Sequence, residues 1–262
     1  MAQQMNPGSY DMGGERKALM LCVRDEKGIK EKRCGFEVDR QTMEKFFKDF
    51  NFCYQFVLDK NTEDMRNAVK DFRDSINSSK ENISCVLVVT SSHGNRHGIQ
   101  DAQGDILKIK DIITPFGDEL CPKMKGKPKI FIIDACRGHN TDTGVYSNSV
   151  ADLKPPKEDG QIKKSRRVPP CINDMLVAYS AMTDYIATMS CEGSTMINCI
   201  SKVFSSPDSA KEHLYDSFVK ANAEMVEKTG HLKEKNIQVK NIMEIESTCR
   251  KLIYLRSKTS CK

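Results

Sequence analysis

Two residues that could act together in catalysis each follow a short apolar run of the chain. His93 comes after the run that begins at Ile83, and Cys136 follows the run 129–133. A cysteine thiol is mostly protonated at neutral pH, so it needs a base or a lowered pKa before it can attack a carbonyl carbon. An imidazole can take that proton and later return it to a leaving amine. The pair predicts nucleophilic catalysis on an amide, with Cys136 as nucleophile and His93 as general base.

Glycines lie beside both residues. Gly94 and Gly138 have no Cβ, so they would let a peptide backbone approach closely, and backbone N–H groups nearby could stabilise an oxyanion. Taken singly, the histidine could be a loop residue making one hydrogen bond, and the cysteine could simply be buried. His97 and His139 are interpreted as solvated loop residues. The occurrence of both reactive groups at matching strand ends favours catalysis.

The elements that must position this pair have the pattern of an α/β protein. Short apolar runs predict buried strands, and the amphipathic stretches between them predict helices that flank a mainly parallel central sheet of about six strands. Because ligands and reactive groups gather at the carboxyl edge of such sheets, we expect the imidazole and the thiol to face one another across a shared cleft. The predicted strands are 18–23, 83–90, 129–133 and 175–180, with a hairpin at 98–106. The predicted helices are one with an apolar stripe at 43–50, one that begins after Thr62 as its N-cap, and three at 109–113, 196–204 and 213–228, the last ended by Gly230.

The bulk composition is that of a globular protein. Of the 262 residues, 39% are hydrophobic and 29% are charged, and the net charge is +5. The basic residues are dispersed apart from the run 163–167, so nucleic-acid binding is not expected. No apolar run approaches the ~20 residues of a membrane span, and residues 1–16 lack a signal-peptide pattern. We therefore expect a cytoplasmic protein that does not associate with membranes.

The cysteines are expected to be reduced. There are 11 of them, an odd number, and Cys22, Cys85 and Cys199 lie inside apolar runs. This pattern is typical of thiols packed as small hydrophobic side chains. No pair has CxxC spacing and no Cys/His cluster has zinc-ligand spacing, so neither a metal nor a cofactor is predicted.

The two motifs Ser92-His93-Gly94 and Ala135-Cys136-Arg137-Gly138 resemble the active-site motifs of the caspases, whose histidine lies ~50 residues before the cysteine motif. The resemblance implies a caspase-like three-layer α/β fold. It also implies a cysteine endopeptidase that cleaves protein substrates through a thioester, in apoptosis or a related pathway. The likeness runs from about Tyr10 to Arg256, where 127–133 resembles the strand before the nucleophile, 175–181 the first small-subunit strand, and 252–255 the strand that pairs at the family's dimer interface.

The same resemblance implies a division of the chain and the roles of several residues. The divisions are a short N-terminal extension at 1–10, a large-subunit region at 11–140, an intersubunit linker at 141–170 and a small-subunit region at 171–262. In this family a zymogen is cut in the linker, and members dimerise, here with a second copy or with another caspase. The backbone N–H groups of Gly94 and Cys136 would form the oxyanion hole. The candidate cleavage sites are Asp142, Asp152, Asp159, Arg166 and Arg167.

Two departures from the family pattern concern the pocket for P1, the substrate residue before the scissile bond. Arg33 aligns with one of the family's P1-binding arginines, but Asp134 replaces the usual glutamine, and Met189 occupies the position of a second arginine. A P1 aspartate needs a cationic pocket to replace its hydration. Two carboxylates a few ångströms apart repel each other by ~1 to 4 kcal/mol. The sequence therefore predicts a P1 preference altered from aspartate.

Three interpretations of this pocket remain open. The enzyme accepts aspartate weakly, with Asp134 partly engaging Arg33. Alternatively it prefers a basic P1 residue, as do paracaspases and metacaspases, which have an aspartate at the same offset. In the third interpretation the chain is a weak or inactive homologue that pairs with other caspases and regulates them. The presence of both His93 and Cys136 argues against the third, since a pure scaffold needs neither.

Overall fold

A six-stranded sheet forms the middle layer of the structure, a computed structural model that describes residues 8–24, 33–144, 172–232 and 237–255. The strand order is β15-β9-β7-β3-β1-β2, and all neighbours are parallel except β15, which runs antiparallel to β9. The strands are β1 Glu15–Cys22, β2 Phe52–Leu58, β3 Ile83–Ser91, β4 Gly94–Asn95, β5 Gly98–Gln100, β6 Ile106–Lys108, β7 Lys129–Asp134, β8 Gly138–Asn140, β9 Met175–Tyr179, β10 Asp184–Tyr185, β11 Met189–Ser190, β12 Gly193–Ser194, β13 Gly230–Leu232, β14 Ile237–Val239 and β15 Glu244–Ser247.

Helices cover both faces of this sheet, because alternate strand residues point to opposite sides. On β1, Met20 packs into one hydrophobic cluster and Leu21 into the other. The first cluster includes residues of α1, α4 and α5, and the second includes residues of α2 and α3. The helices are α1 Phe36–Asp49, α2 Thr62–Ser78, α3 Ile109–Ile113, α4 Thr195–Phe204 and α5 Leu214–Glu227. The expected α/β fold of three layers is therefore confirmed.

The two helix-boundary predictions that named a residue were wrong in detail. Asn61, rather than Thr62, caps α2, because its side chain accepts a hydrogen bond from the Asp64 N–H. The helix α5 ends at Lys228 without a glycine cap, and Gly230 instead starts β13, which pairs with β14. Asparagine is as good an N-cap as any residue, so the amphipathic pattern alone left the choice between two neighbours open.

The apolar segment 252–255 was expected to form a strand at a dimer interface, and this is wrong. The sheet ends instead at β15, whose Glu244 pairs with Tyr179. In the segment itself, Leu252 makes only an isolated bridge with Ser9, and the side chain of Ile253 is buried in the core. The apolar residues of this segment are buried within the chain itself. A segment buried in this way and a strand at a dimer interface have the same hydrophobic pattern, so the sequence alone does not distinguish them.

No helix among the described residues is long and apolar enough to cross a membrane.

Candidate active site

The two strands that carry the predicted catalytic residues are immediate neighbours. β3 and β7 run parallel with Ser91 opposite Asp134, and the Ser92 N–H donates a hydrogen bond of 3.1 Å to the Asp134 carbonyl. His93 and Cys136 lie in the loops that directly follow, and each is half-buried. The predicted pair is thus brought to one edge of the sheet, on adjacent loops.

The glycines beside the pair pack against the chain's own backbone. A Cβ built on Gly94 would lie 2.8 Å from the Cys136 carbonyl oxygen, and one on Gly138 would lie 2.2 Å from the Asp184 carbonyl oxygen. Neither position can hold a larger residue without a backbone shift. The sequence suggested that this space admits a substrate, whereas the structure fills it with neighbouring loops. The Gly94 contact packs the histidine loop against the cysteine loop, and the Gly138 contact packs the cysteine loop against β10.

The thiol of Cys136 is bound by the backbone of a third segment. Its Sγ lies 3.3 Å from the Ala187 N–H nitrogen and 3.5 Å from the Ala187 carbonyl oxygen. Burial raises the pKa of this thiol, and the Ala187 N–H opposes that effect. Burial, together with the charge of Arg33, lowers the pKa of His93. At neutral pH the two groups are therefore a thiol and an uncharged imidazole, the protonation states from which a base-assisted attack begins.

No hydrogen bond joins the imidazole to the thiol among the described residues. Catalytic hydrogen bonds are often long or poorly aligned without substrate and tighten only in the complex. The lack of such a bond in the substrate-free chain is therefore compatible with proton transfer between the two groups in a substrate complex.

The residue after Cys136 anchors its loop to the sheet. The Arg137 guanidinium lies 4.0 Å above the centre of the Tyr179 ring and forms an ion pair of 2.5 Å with Glu244. Its backbone N–H donates to Tyr185. Strands β9, β10 and β15 therefore all contribute to the position of Cys136.

The arginine predicted to bind P1 is held by neutral acceptors. Arg33 donates to the Val23 carbonyl oxygen at 2.9 Å and to the Ser91 hydroxyl at 3.1 Å. Asp134 is buried, and burial raises the pKa of its carboxyl while the nearby charge of Arg33 opposes this. Within the described residues no ion pair links Asp134 to Arg33, so the expected direct engagement is not seen. The influence of Arg33 on Asp134 acts through space.

A second buried carboxyl in this pocket, Asp39 on α1, was missed by the sequence reasoning. Its side chain has an exposed fraction of 0%, Oδ1 accepts a 2.8 Å hydrogen bond from the Ser194 N–H, and Oδ2 has no partner among the described residues. Burial and the adjacent Asp134 raise the pKa of Asp39 to about 7. The signal was present, because Asp39 lies four positions before Met43, on the buried stripe of the helix.

Met189 lies on a short hairpin that forms another wall of this region. β11 and β12 pair antiparallel, with Met189 opposite Ser194, and Met189 is half-buried. Beside this hairpin a disulfide joins Cys34 to Cys191, whose Cα atoms are 4.7 Å apart. The expectation that all cysteines are reduced is therefore wrong, because two cysteines 157 positions apart meet at this point of the fold.

Of the predicted cleavage candidates, only one lies among the described residues. Asp142 forms an isolated bridge with Lys240, and its carbonyl oxygen accepts a 2.7 Å hydrogen bond from the Lys240 N–H. The others, Asp152, Asp159, Arg166 and Arg167, lie outside the described residues, as does most of the predicted linker.

A cavity of about 470 Å³ opens beside the thiol. Basic side chains line one side of it, among them Arg96, Lys108 and Lys110, and Cys136 lies at its edge. In the part of the chain that the structure describes, no cluster of three or more His, Cys, Asp or Glu side chains could hold a metal ion.

Comparisons with known proteins identify a family and several similar chains. Residues 15–254 match the caspase domain family. The chain is 29% identical to caspase-14 of Homo sapiens over 94% of this chain and 96% of that protein. It is 27% identical to caspase-2 of Gallus gallus over 85% of this chain and 54% of that protein. The crystal structure of caspase-1 from Spodoptera frugiperda has a TM-score of 0.79 over 100% of this chain and 98% of that one, at 19% identity, a likeness that shows the fold.

Proposed function

Because the chain belongs to the caspase family of cysteine peptidases, we propose that it is a cysteine endopeptidase with Cys136 as nucleophile and His93 as general base. The main observation behind this proposal is that β3 and β7 are neighbouring parallel strands, so their carboxyl ends lie at the same edge of the sheet. The Gly94–Cys136 backbone contact then holds the two loops together. The expected absence of a cofactor is consistent with this chemistry, which uses only protein groups.

The proposed reaction proceeds through a thioester. As the Cys136 sulfur attacks the scissile carbonyl carbon, the uncharged imidazole of His93 takes the thiol proton. The tetrahedral intermediate collapses, the imidazolium gives its proton to the leaving amine, and water then hydrolyses the thioester with His93 again as base. Because burial disfavours the thiolate, the imidazole must act during the attack rather than in a prior ionisation.

The proposed oxyanion hole consists of the backbone N–H groups of Gly94 and Cys136. Opposite residues of antiparallel strands alternate between hydrogen-bonded and non-bonded pairs. The Gln100 N–H donates to the His93 carbonyl, so the next pair, Gly94 with Ile99, is of the non-bonded kind. This alternation directs the Gly94 N–H away from Ile99 and supports its use as an oxyanion donor.

Substitution of each reactive residue by alanine tests the proposed peptidase activity. We expect Cys136→Ala to reduce peptide cleavage to background and His93→Ala to lower kcat/KM by ~10² to 10⁴, the usual contribution of a general base. The matched control is His97→Ala, since this histidine is exposed two residues beyond the end of β4 and should leave kcat/KM unchanged. Equal loss in His93→Ala and His97→Ala would contradict the assignment.

The proposed P1 preference is shifted away from aspartate. The pocket combines the single guanidinium of Arg33 with the buried carboxyls of Asp39 and Asp134, and Met189 adds no charge. A P1 aspartate would thus meet a pocket less cationic than one lined by two arginines, because each carboxyl cancels part of the Arg33 charge when it is ionised. A peptide library that varies P1 over all residue types measures this preference directly.

A basic P1 preference makes a specific prediction about the linker. Arg166 and Arg167 would then be a self-processing site, and the double variant Arg166→Ala with Arg167→Ala would abolish linker cleavage by the purified protein. Cleavage that persists in this variant but stops in Asp142→Ala, Asp152→Ala or Asp159→Ala would show an aspartate preference instead.

A second candidate function, that of a catalytically weak partner of other caspases, is favoured by one observation. The Cys136 thiol has a raised pKa and bonds to Ala187 rather than to His93. In that case the protein would bind another caspase and alter its activity without cleaving peptides itself. Addition of the Cys136→Ala variant to an active caspase separates the two candidates, since only a regulator acts without its own thiol.

The assembly that we propose uses β15 rather than 252–255. β15 is the last strand of the described sheet, and an unpaired strand edge is a template for a second copy or for another caspase. The division into large and small subunits joined by a linker at 141–170, processing from a zymogen, a role in apoptosis or a related pathway, and a cytoplasmic location are proposals that rest on the family alone.

A further inference from the structure

The Cys34–Cys191 disulfide connects two walls of the proposed substrate cleft. Cys34 directly follows Arg33, the proposed P1-binding residue, and Cys191 directly follows β11, which carries Met189. The two cysteines come from the two regions proposed as large and small subunits. The bridge therefore crosses the cleft wall at the point where these regions meet.

One continuous segment runs from the nucleophile to this bridge. At its near end the Ala187 backbone contacts the Cys136 thiol, and at its far end Cys191 forms the disulfide. Between them, the Thr188 N–H donates to the Asn241 side chain at 3.2 Å, and Met189 pairs with Ser194. A shift of the far end would therefore move Met189 relative to Arg33.

The hairpin that carries this far end has little stability of its own. β11 and β12 form only two residue pairs, Met189 with Ser194 and Ser190 with Gly193. An isolated two-stranded hairpin is marginally stable at best, so it depends on docking to the rest of the protein. It docks on the start of α1, where a Cβ on Gly35 would lie 2.1 Å from the Ser190 carbonyl oxygen.

We propose that the Cys34–Cys191 disulfide is a positioning pair that fixes the β11–β12 hairpin against the Arg33 loop and keeps the two proposed subunits covalently joined after the linker is cut. The positioning role rests on the proposed peptidase function. The covalent link is independent of that function, because it requires only the bond between the two cysteine sulfur atoms.

The bridge is placed where it can be opened and closed. Both cysteines are exposed, and exposed disulfides are the ones that small thiols reduce most readily. To close it, one thiolate attacks oxidised glutathione, a small-molecule disulfide, which gives a mixed disulfide and one glutathione thiol. The second protein thiol then displaces the other glutathione thiol. Two protein thiols are oxidised and one glutathione disulfide is reduced, so the hairpin position follows the thiol–disulfide balance around the protein.

The first experiment tests the covalent link without any activity of this protein. A recognition sequence for an unrelated site-specific protease is placed within 145–171 of the full chain, and the purified protein is cut there. We expect one band near the uncut mass of 29.6 kDa on a non-reducing gel and two smaller bands after reduction. Cys34→Ser should give two bands under both conditions, and Cys53→Ser, which removes an exposed free thiol on β2, should behave as the wild type. Two bands from the unreduced wild type would overturn the proposed link.

The second experiment tests positioning through hydrogen exchange and kinetics. In the double variant Cys34→Ser with Cys191→Ser, amides at 189–194 should exchange at least about tenfold faster than in the oxidised wild type. KM for a peptide substrate should rise about threefold or more while kcat changes less than twofold. The reduced wild type should match the double variant, and Cys53→Ser should match the oxidised wild type.

The two experiments separate failure of this inference from failure of the proposed function. Faster exchange at 189–194 in a protein that cleaves no peptide would support the positioning role and count against the peptidase. Unchanged exchange and unchanged KM in an active double variant would overturn the positioning role and leave the peptidase assignment intact.

Discussion

The two sides of the proposed cleft are built in different ways. On the dyad side, His93 and Cys136 follow two hydrogen-bonded parallel strands, and the sheet ladder sets their separation. On the pocket side, Arg33, Asp39 and Met189 come from a loop, a helix and a two-residue strand that meet only through tertiary contacts. The dyad side therefore rests on adjacent hydrogen-bonded strands inside the sheet, whereas the pocket side rests on a few contacts between distant segments.

This difference explains how the pocket could change while the dyad stayed the same. Asp134 is the last residue of β7, so its backbone belongs to the ladder although its side chain belongs to the pocket. Exchange of that side chain alters the charge around Arg33 without a change in the path of the strand. The charge of the proposed P1 pocket is thus separable from the placement of Cys136 two residues later.

The largest contrast that we expect between the two sides lies in the pH dependence of stability. On the pocket side, burial and Asp134 raise the pKa of Asp39 to about 7. On the dyad side, hydrogen bonds from Thr62, Gln103 and Asp105 outweigh burial and hold the pKa of Asp101 below its usual value. The folded protein keeps the Asp39 proton that the unfolded chain loses, so the contribution of Asp39 to stability falls as pH rises from about 4 to about 7, by at most ~1.4 kcal/mol per pH unit. The stabilisation by Asp101 has the opposite pH dependence: it is present at neutral pH and is lost in acid.

Urea unfolding of two isosteric variants checks these signs. Relative to the wild type, Asp39→Asn should gain stability as pH rises from about 4.5 to about 7.5. Asp101→Asn should keep a nearly constant deficit over that range and should approach the wild type only as pH falls below about 4, because the folded-state pKa of Asp101 lies below its usual value. The same pH dependence for both variants would break the contrast.

The next largest effect concerns the charge of the pocket. We expect Asp134→Gln to raise the ratio of kcat/KM for P1 aspartate over P1 arginine by about tenfold, which corresponds to removal of ~1.4 kcal/mol of repulsion. Paired peptides that differ only at P1 give this ratio. The control is Asp105→Asn, an exposed carboxyl on the dyad-side loop, which should leave the ratio unchanged. The prediction fails if both variants shift the ratio equally.

The smallest effect compares two helix caps, one near each side. Asn61 accepts a hydrogen bond from Asp64 at the start of α2, and Ser194 accepts one from Ile197 at the start of α4. Alanine at either position should cost about 1 kcal/mol of unfolding free energy. Only Ser194→Ala should also raise KM: alanine keeps the backbone N–H that holds the Asp39 carboxyl, but loss of the hydroxyl cap loosens the start of α4, where that N–H lies. Denaturant unfolding and steady-state kinetics on both variants sharpen the comparison, and an equal rise in KM would remove it.

The dyad side and the main sheet could be predicted from sequence because their signals are local. The apolar runs gave β3 and β7 to within one residue of their ends, and parallel strands bring their carboxyl ends together whatever the details of the loops. The short helix at 109–113 was also correct at both ends.

The pocket side could be predicted only in part because its contacts join distant positions. Nothing in the local sequence pairs Cys34 with Cys191, and Asp39 could be recognised as buried only from its place on the α1 stripe. The edge strand β15 was missed for a related reason, since its alternating residues Glu244 and Glu246 carry a weaker hydrophobic signal than 252–255. A segment buried inside the chain and a strand paired at the edge of the sheet produce similar hydrophobic patterns in the sequence.

The reaction of Cys136 with an iodoacetamide probe tests the central claim that the histidine and the cysteine act as one unit. Mass spectrometry of the labelled protein follows each free thiol separately, with Cys53 as the exposed reference and Cys85 as the buried one. We predict that Cys136, despite its raised pKa, is labelled faster than Cys53 at neutral pH because His93 takes its proton during the attack, and that His93→Ala abolishes this excess while His97→Ala preserves it. Labelling of Cys136 no faster than that of Cys53, or unchanged by His93→Ala, would contradict the account.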